Sequence, residues 1–172
     1  MNKYDYSTTP LVPLKLSSEE LLIGSYNEEI IKRLNLIIQT EAPIYSSLLK
    51  KRLLNSFSLK KCGSRLEAFL IPLLADLSFP KSQEKSEFVF FKDNTTCDYF
   101  RPSLESVRYS YQIPYIEGSN AISKIYEEKG KINQKALLEY FCEEFGYKRK
   151  GSQVIVFFKG SLDYYKKHKK LS

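Results

Sequence analysis

The sequence predicts a mainly α protein with a small β-hairpin, organised as two tandem helix-turn-helix or winged-helix-like units. Three observations carry this expectation. Apolar residues recur at the three-and-four spacing of a buried helical stripe over several stretches. A β-branched and aromatic run, Glu87-Phe88-Val89-Phe90-Phe91, stands beside turn chemistry. The second half matches the first at a constant offset of 88 residues, pairing Ile37 with Ile125, Ile44 with Ile132, Leu49 with Leu137, Phe57 with Phe145, Lys60 with Lys148, Gly63 with Gly151, Ser64 with Ser152 and Phe69 with Phe157.

Taken in order, residues 1–26 read as an extended lead, since Pro10 and Pro13 interrupt it and no helical period appears before residue 16. Leu11, Val12 and Leu14 are the residues expected to pack it on the body. Residues 27–117 form the first unit. Its first helix runs from Asn27 to about Thr40, with Ile30, Ile31, Leu34, Ile37 and Ile38 on one face. Pro43 is placed at the first turn of a second helix that buries Ile44, Leu48, Leu49, Leu53 and Leu54 and ends near Phe57. Ser64 is the expected cap of a third helix carrying Leu66, Phe69, Leu70, Leu73 and Leu74, which Pro72 kinks or shortens. Ser78 to Ser86 reads as a polar connector. The hairpin then pairs residues 87–91 with 95–100 across Lys92-Asp93-Asn94. Three helices followed by a hairpin is the order of a winged helix. Residues 118–172 form the second unit, with a basic tail. Within it, Gln153 to Phe158 favours strand by local propensity and helix by the repeat, and the repeat is followed.

The composition supports a chain of 172 residues, 42% of them hydrophobic, that buries its own core. Twenty-seven Lys and Arg against 20 Asp and Glu leave a formal charge of +7, which suits an anionic partner or a soluble surface equally well. Cys62, Cys97 and Cys142 lie far apart, without a C-x-x-C pair and with His168 as the one histidine, so neither structural zinc nor a disulfide framework is expected. Reduced thiols in a cytoplasmic protein are the expectation. The N-terminus lacks the apolar run of a signal peptide, and no stretch nears the ~20 apolar residues of a membrane span, so no membrane contact is expected. No phosphate-loop, G-x-S-x-G or H-E-x-x-H motif occurs. Glu87, Asp93 and Asp98 with Lys92 could be arranged as a magnesium-dependent nuclease, but hairpin turns favour Asp and Asn in any case. The chain is read as no enzyme, without metal or cofactor.

The turn before each third helix concentrates the chemistry. Lys60, Lys61, Ser64 and Arg65 in the first unit, and Lys148, Arg149, Lys150, Ser152 and Gln153 in the second, gather cations and hydroxyls at a helix N-terminus. A phosphate there meets backbone N–H donors, the positive end of the helix dipole and short-range positive charge. In a helix-turn-helix protein the following helix enters the major groove, with Arg65 or Gln153 near base edges. The competing account of Gly63 and Gly151 is a turn needing positive φ before a Ser-capped helix. Lys50-Lys51-Arg52 reads as a solvated helix face, and Lys166-Lys167-His168-Lys169-Lys170 as a phosphate-gripping arm or a frayed end. Phe88, Phe90, Tyr99 and Tyr109 are candidates for stacking on single-stranded bases, though alternation assigns half of them to the core.

Glu41-Ala42-Pro43-Ile44 through Arg52, Phe57 and Gly63-Ser64-Arg65, with Ile113-Pro114, Asn120-Ala121-Ile122 and Phe145-Gly146-Tyr147 in the second half, resembles an uncharacterised domain at the C-terminus of large bacterial superfamily-one DNA helicase-like proteins. The resemblance covers about residues 27–153. It implies an accessory role in DNA processing or in defence against foreign DNA, and it carries over no catalytic residue. A chain starting at Met1 without a nucleotide-binding motif is expected to be a free-standing relative or a piece that works with a separate motor. The expectation is a non-catalytic nucleic-acid-binding accessory module, most naturally for DNA, associated with helicase machinery. The alternative is a protein–protein docking module for a helicase or nuclease subunit.

Overall fold

The computed structural model describes residues 1–104 and 106–168 and is mainly α with some β. The chain divides into two compact units, Ser7–Asn94 and Met1–Tyr6 together with the chain from Thr95 onward. The division therefore falls elsewhere than at residues 26 and 117. The lead is not separate, because the Leu14 and Leu16 amides donate to the Ser56 and Phe57 carbonyls at 2.9 and 3.3 Å, inside the first unit.

In chain order the elements are β1 Asn2–Lys3, α1 Ser18–Leu22, α2 Asn27–Glu41, β2 Ile44–Tyr45, α3 Ser46–Ser56, α4 Ser64–Ala75, β3 Lys81–Glu84, β4 Glu87–Phe90, β5 Tyr99–Phe100, a 3₁₀ turn Ser110–Gln112, α5 Tyr115–Lys129, α6 Gln134–Phe145 and α7 Ser152–His168. α1 sits within the stretch expected to be extended. Its signal is a capping box: the Glu20 amide donates to Ser17 Oγ at 3.2 Å while the Ser17 amide donates to the Glu20 carboxylate at 2.7 Å.

In the first unit the apolar stripes meet in one core. Ile30, Leu34, Ile37 and Ile38 of α2 face Leu48, Leu49 and Leu53 of α3 and Leu66, Leu70 and Leu74 of α4, closed by Phe57 and Phe90. Each such side chain contributes roughly 1.5–3 kcal/mol on burial. Leu11 and Leu14 pack against this core, whereas Val12 is exposed. Pro43 does not open a helix. Ile44 and Tyr45 instead pair with Phe90 and Val89, and α3 starts only at Ser46. Tyr45, at the cap position, offers α3 no side-chain hydrogen bond; Glu87 of β4 does so instead, accepting from the Ser47 amide at 2.9 Å and Ser46 Oγ at 3.1 Å. Pro72 neither stops nor shortens α4, which continues to Ala75.

The hairpin pairs β3 with β4, from Lys81↔Phe90 to Glu84↔Glu87, and the sheet order is β2-β4-β3, antiparallel throughout. Lys85 and Ser86 form a two-residue connection with φ of 51° and 65°, the geometry that matches the twist of paired strands. The supposed polar connector thus holds a strand, and Lys92-Asp93-Asn94 is not the hairpin turn. Tyr99 and Phe100 belong to the second unit, where they pair in parallel with Asn2 and Lys3.

The second unit packs α5, α6 and α7 around Phe100, Ile122, Phe141, Phe145, Phe157 and Phe158. Gln153 to Phe158 is helical because Val154, Phe157, Phe158, Ser161 and Leu162 form one buried stripe. α5 and α7 approach closely where side chains are smallest: a Cβ on Gly118 would lie 1.9 Å from Ser161 Oγ, and one on Gly160 would lie 2.1 Å from the Tyr115 ring. Helices begin at Asn27, Ser46 and Ser64 in the first unit and at Tyr115, Gln134 and Ser152 in the second, so the interval of 88 residues holds for all three.

One buried carboxylate anchors the segment entering α5. Glu117 accepts from the Arg101 amide and Nη2 and from Arg108 Nη1, each at 2.8 Å, and is inaccessible to solvent. The Arg108 guanidinium lies 3.9 Å from the centroid of the Tyr6 ring, whose face partly offsets the second positive charge. Burial disfavours the ionised Glu117, but the charges and hydrogen bonds of Arg101 and Arg108 outweigh it and hold the carboxyl below its ordinary range.

A carboxyl lowered in the folded state contributes stability above its unfolded pKa and loses that contribution as pH falls through its folded value. Glu117→Gln is therefore expected to destabilise the chain by about 3–5 kcal/mol at neutral pH and to flatten the acid limb of stability against pH in urea titrations. An unchanged neutral stability would contradict this role. Gly118→Ala is expected to cost about 1–3 kcal/mol by overpacking, whereas a Cβ on Gly63 would meet nothing within 4 Å.

Candidate functional site

Each third helix is preceded by a turn anchored by a buried aromatic. In the first unit Phe57 is buried, the Arg33 guanidinium lies 4.8 Å from its ring centroid, and Arg33 Nη1 donates to the Ser56 carbonyl at 3.2 Å. The chain reverses at Ser58, with φ of 62°, and Leu59 tucks against the core. Lys60, Lys61, Ser64 and Arg65 are left exposed. In the second unit α6 ends on Gly146 in the left-handed conformation, and the Tyr147 amide donates to the Cys142 carbonyl at 2.8 Å. Phe145 packs in the core with Tyr147 stacked on it at 5.8 Å. Lys148, Arg149, Lys150, Ser152 and Gln153 follow, all exposed.

The two turns close alike. The Glu67 amide donates to the Gly63 carbonyl at 2.9 Å, and the Ile155 amide to the Gly151 carbonyl at 3.1 Å. The capping account of these glycines is corrected by the geometry. Gly63 has φ of −73° and ψ of 160°, and Gly151 is not among the positive-φ residues, so neither needs a left-handed backbone. Gly63 rather than Ser64 is the cap residue, and α4 has no side-chain cap. Its first N–H groups thus have no acceptor from a cap side chain.

Ion pairing separates these turns from the Lys50-Lys51-Arg52 run. Lys60, Lys61, Arg65, Lys148 and Arg149 make no ion pair among the described residues. Lys150 pairs loosely with Glu139 at 3.4 Å. In the Lys50-Lys51-Arg52 run, Lys50 pairs with Glu67 and Arg52 with Glu41 at 3.0 Å, which makes two of its three cations structural. Lys166, Lys167 and His168 are exposed on the last turn of α7, where the His168 ring stacks on Tyr164 at 4.1 Å; Lys169 and Lys170 lie outside the described residues.

The turn in the second unit lines a groove of about 990 Å³ together with residues from the segment before α5. Lys148, Arg149, Ser152 and Gln153 share it with Leu104, Tyr109, Tyr111 and Asp5. Tyr109 and Tyr111 stack on each other, with centroids 5.4 Å apart and planes 6° apart. Of the aromatics singled out from sequence, Phe90 is buried, Phe88 and Tyr99 are half-buried, and Tyr109 alone is exposed. Tyr111 was missed; its signal was a second ring two residues after Tyr109.

Among the described residues no group of three or more His, Cys, Asp and Glu could hold a metal ion. Glu87 is committed to α3, while Asp98 accepts from Asn2 Nδ2 in the second unit, so the carboxylates imagined as a nuclease centre have other partners. Cys62, Cys97 and Cys142 are free thiols; burial raises all three, with Cys97 pushed up to about 11. They are poorly suited to nucleophilic chemistry. No helix of the described chain is long and apolar enough to cross a membrane.

Gly63→Asp separates capping from anion binding. An Asp fits the extended cap backbone and supplies the missing acceptor, so the variant is expected to gain about 0.5 kcal/mol in urea unfolding and to weaken any anion held at α4. A loss of stability would contradict the open-cap geometry. No protein-family model, no curated protein and no solved structure matches the chain.

Proposed function

We propose that the chain is a non-catalytic nucleic-acid-binding accessory module of two tandem helix-turn-helix or winged-helix-like units, which meet backbone phosphates at the N-terminal turns of their third helices. The observation that carries this reading is the set of exposed cations without ion-pair partners at α4 and α7, in the same place in both units. Two turns that share closure and charge at helix N-termini are arranged for the same kind of ligand, and a phosphate is the one their N–H groups and cations favour. The winged-helix reading of the first unit is supported by its order, helix–strand–helix–helix–hairpin, with the strand after the first helix pairing to the second arm of the hairpin. DNA as the polymer, and an association with helicase machinery, follow from the resemblance of residues 27–153 to the helicase-associated domain. Free thiols at all three cysteines fit a cytoplasmic setting.

A second reading, docking onto a helicase or nuclease subunit, is favoured by one feature of α4. Beyond Arg65 its exposed residues include Ala68, Ile71, Pro72 and Ala75, with Ile71 57% exposed, so this face lacks base-reading donors. Salt dependence separates the readings. Changing Lys60, Lys61, Lys148 and Arg149 together to Ala is expected to weaken duplex DNA binding and to reduce the slope of log K against log salt by about four, with an unchanged thermal melt. A wild-type affinity in the variant would reject these turns as the phosphate site, and an absent salt slope in the parent would favour docking.

A further inference from the structure

We propose that the groove of the second unit binds single-stranded nucleic acid, with bases laid on the Tyr109–Tyr111 pair and phosphates held by Lys148 and Arg149. The proposal rests on the nucleic-acid reading above and names the form of polymer this site takes. Tyr109 and Tyr111 are 42% and 47% exposed, and Leu104 beside them is 75% exposed. Aromatic rings of this size gain stability from burial, so two stacked rings with this much exposed surface leave apolar area that a third ring can cover.

That face is already ordered. Ser110 and Gln112, which flank Tyr111, are buried, and the Tyr109 amide donates to Gln112 Oε1 at 2.9 Å. Arg108 before them is tied to Glu117, and Ile113 after them enters the core. A platform fixed from both sides loses little entropy when a base stacks on it. Charge in the groove completes the match. Among the described residues Asp5 is the one carboxylate on the lining, and Lys148 and Arg149 make no ion pair. Ser152 and Gln153 add neutral donors at the start of α7. The volume of about 990 Å³ is at the upper end for a ligand cleft. A duplex hides its base faces in its own stack, so tyrosine stacking selects an unpaired strand.

The test compares three labelled ligands by fluorescence anisotropy: a short oligo(dT), a base-free strand with the same number of phosphates, and a duplex. The parent protein is expected to bind oligo(dT) about tenfold or more tighter than the base-free strand. Tyr109→Ala with Tyr111→Ala is expected to abolish that preference, and Tyr109→Phe with Tyr111→Phe to keep it, since stacking needs the ring and not the hydroxyl. Equal binding of oligo(dT) and the base-free strand by the parent overturns the proposal, as does a preference that survives the alanine pair. In either case duplex binding by the parent leaves the broader reading standing, whereas a parent that binds none of the three ligands overturns both.

Discussion

The Glu117 carboxylate lies at the start of α5 with no solvent access, and an ion so placed persists only if its neighbours supply what water would. Arg101 and Arg108 do this from a segment with little regular structure of its own. Their grip fixes the path of the chain from β5 to the 3₁₀ turn, which sets where Tyr109 and Tyr111 stand and so builds one wall of the groove. Asn120 on the same helix adds hydrogen bonds to the Cys97 and Tyr99 carbonyls at 2.9 and 2.8 Å, holding β5. The glycine and serine contacts between α5 and α7 then bring the start of α7 to the other wall. Packing, buried charge and the candidate site are thus one connected arrangement within the second unit.

Two sets of cations in this chain have contrasting surroundings. Arg33, Lys50, Arg52, Arg101, Arg108 and Lys124 pair with carboxylates, several of them partly or wholly buried, and serve to hold elements together. Lys60, Lys61, Arg65, Lys148 and Arg149 stay exposed at helix N-termini, where like charge adds to the positive end of the dipole. Repulsion between like charges disfavours cations there. Under the proposed function a negatively charged ligand accounts for their placement at both turns.

Much of the helical framework was legible in the sequence, because a buried stripe at helical spacing and a fixed offset are both local patterns. The offset even decided Gln153 to Phe158 correctly against its strand propensity, since the core of the second unit needs Val154, Phe157 and Phe158 on one face. Features set by distant partners were not legible. Ile44 and Tyr45 are a strand only because Val89 and Phe90 pair with them, and Glu87 caps α3 from a strand some forty residues away. The hairpin was misplaced because Asp93 and Asn94 advertised a turn, while Lys85-Ser86 adopted the positive φ values without the usual residues. The basic turns were found from composition. The tyrosine platform was not, since exposure of alternating aromatics depends on what Arg108 and Ile113 anchor.

The most direct test of the account is an amide NMR titration of the ¹⁵N-labelled chain with a short oligonucleotide at low salt. The account predicts that the largest shifts fall on the backbone amides of residues 60–66 and 148–154, with Tyr109 and Tyr111 joining when the strand is unpaired. Shifts confined to the outer face of α4 around Ile71, or absent from both turns at saturating ligand, would contradict it.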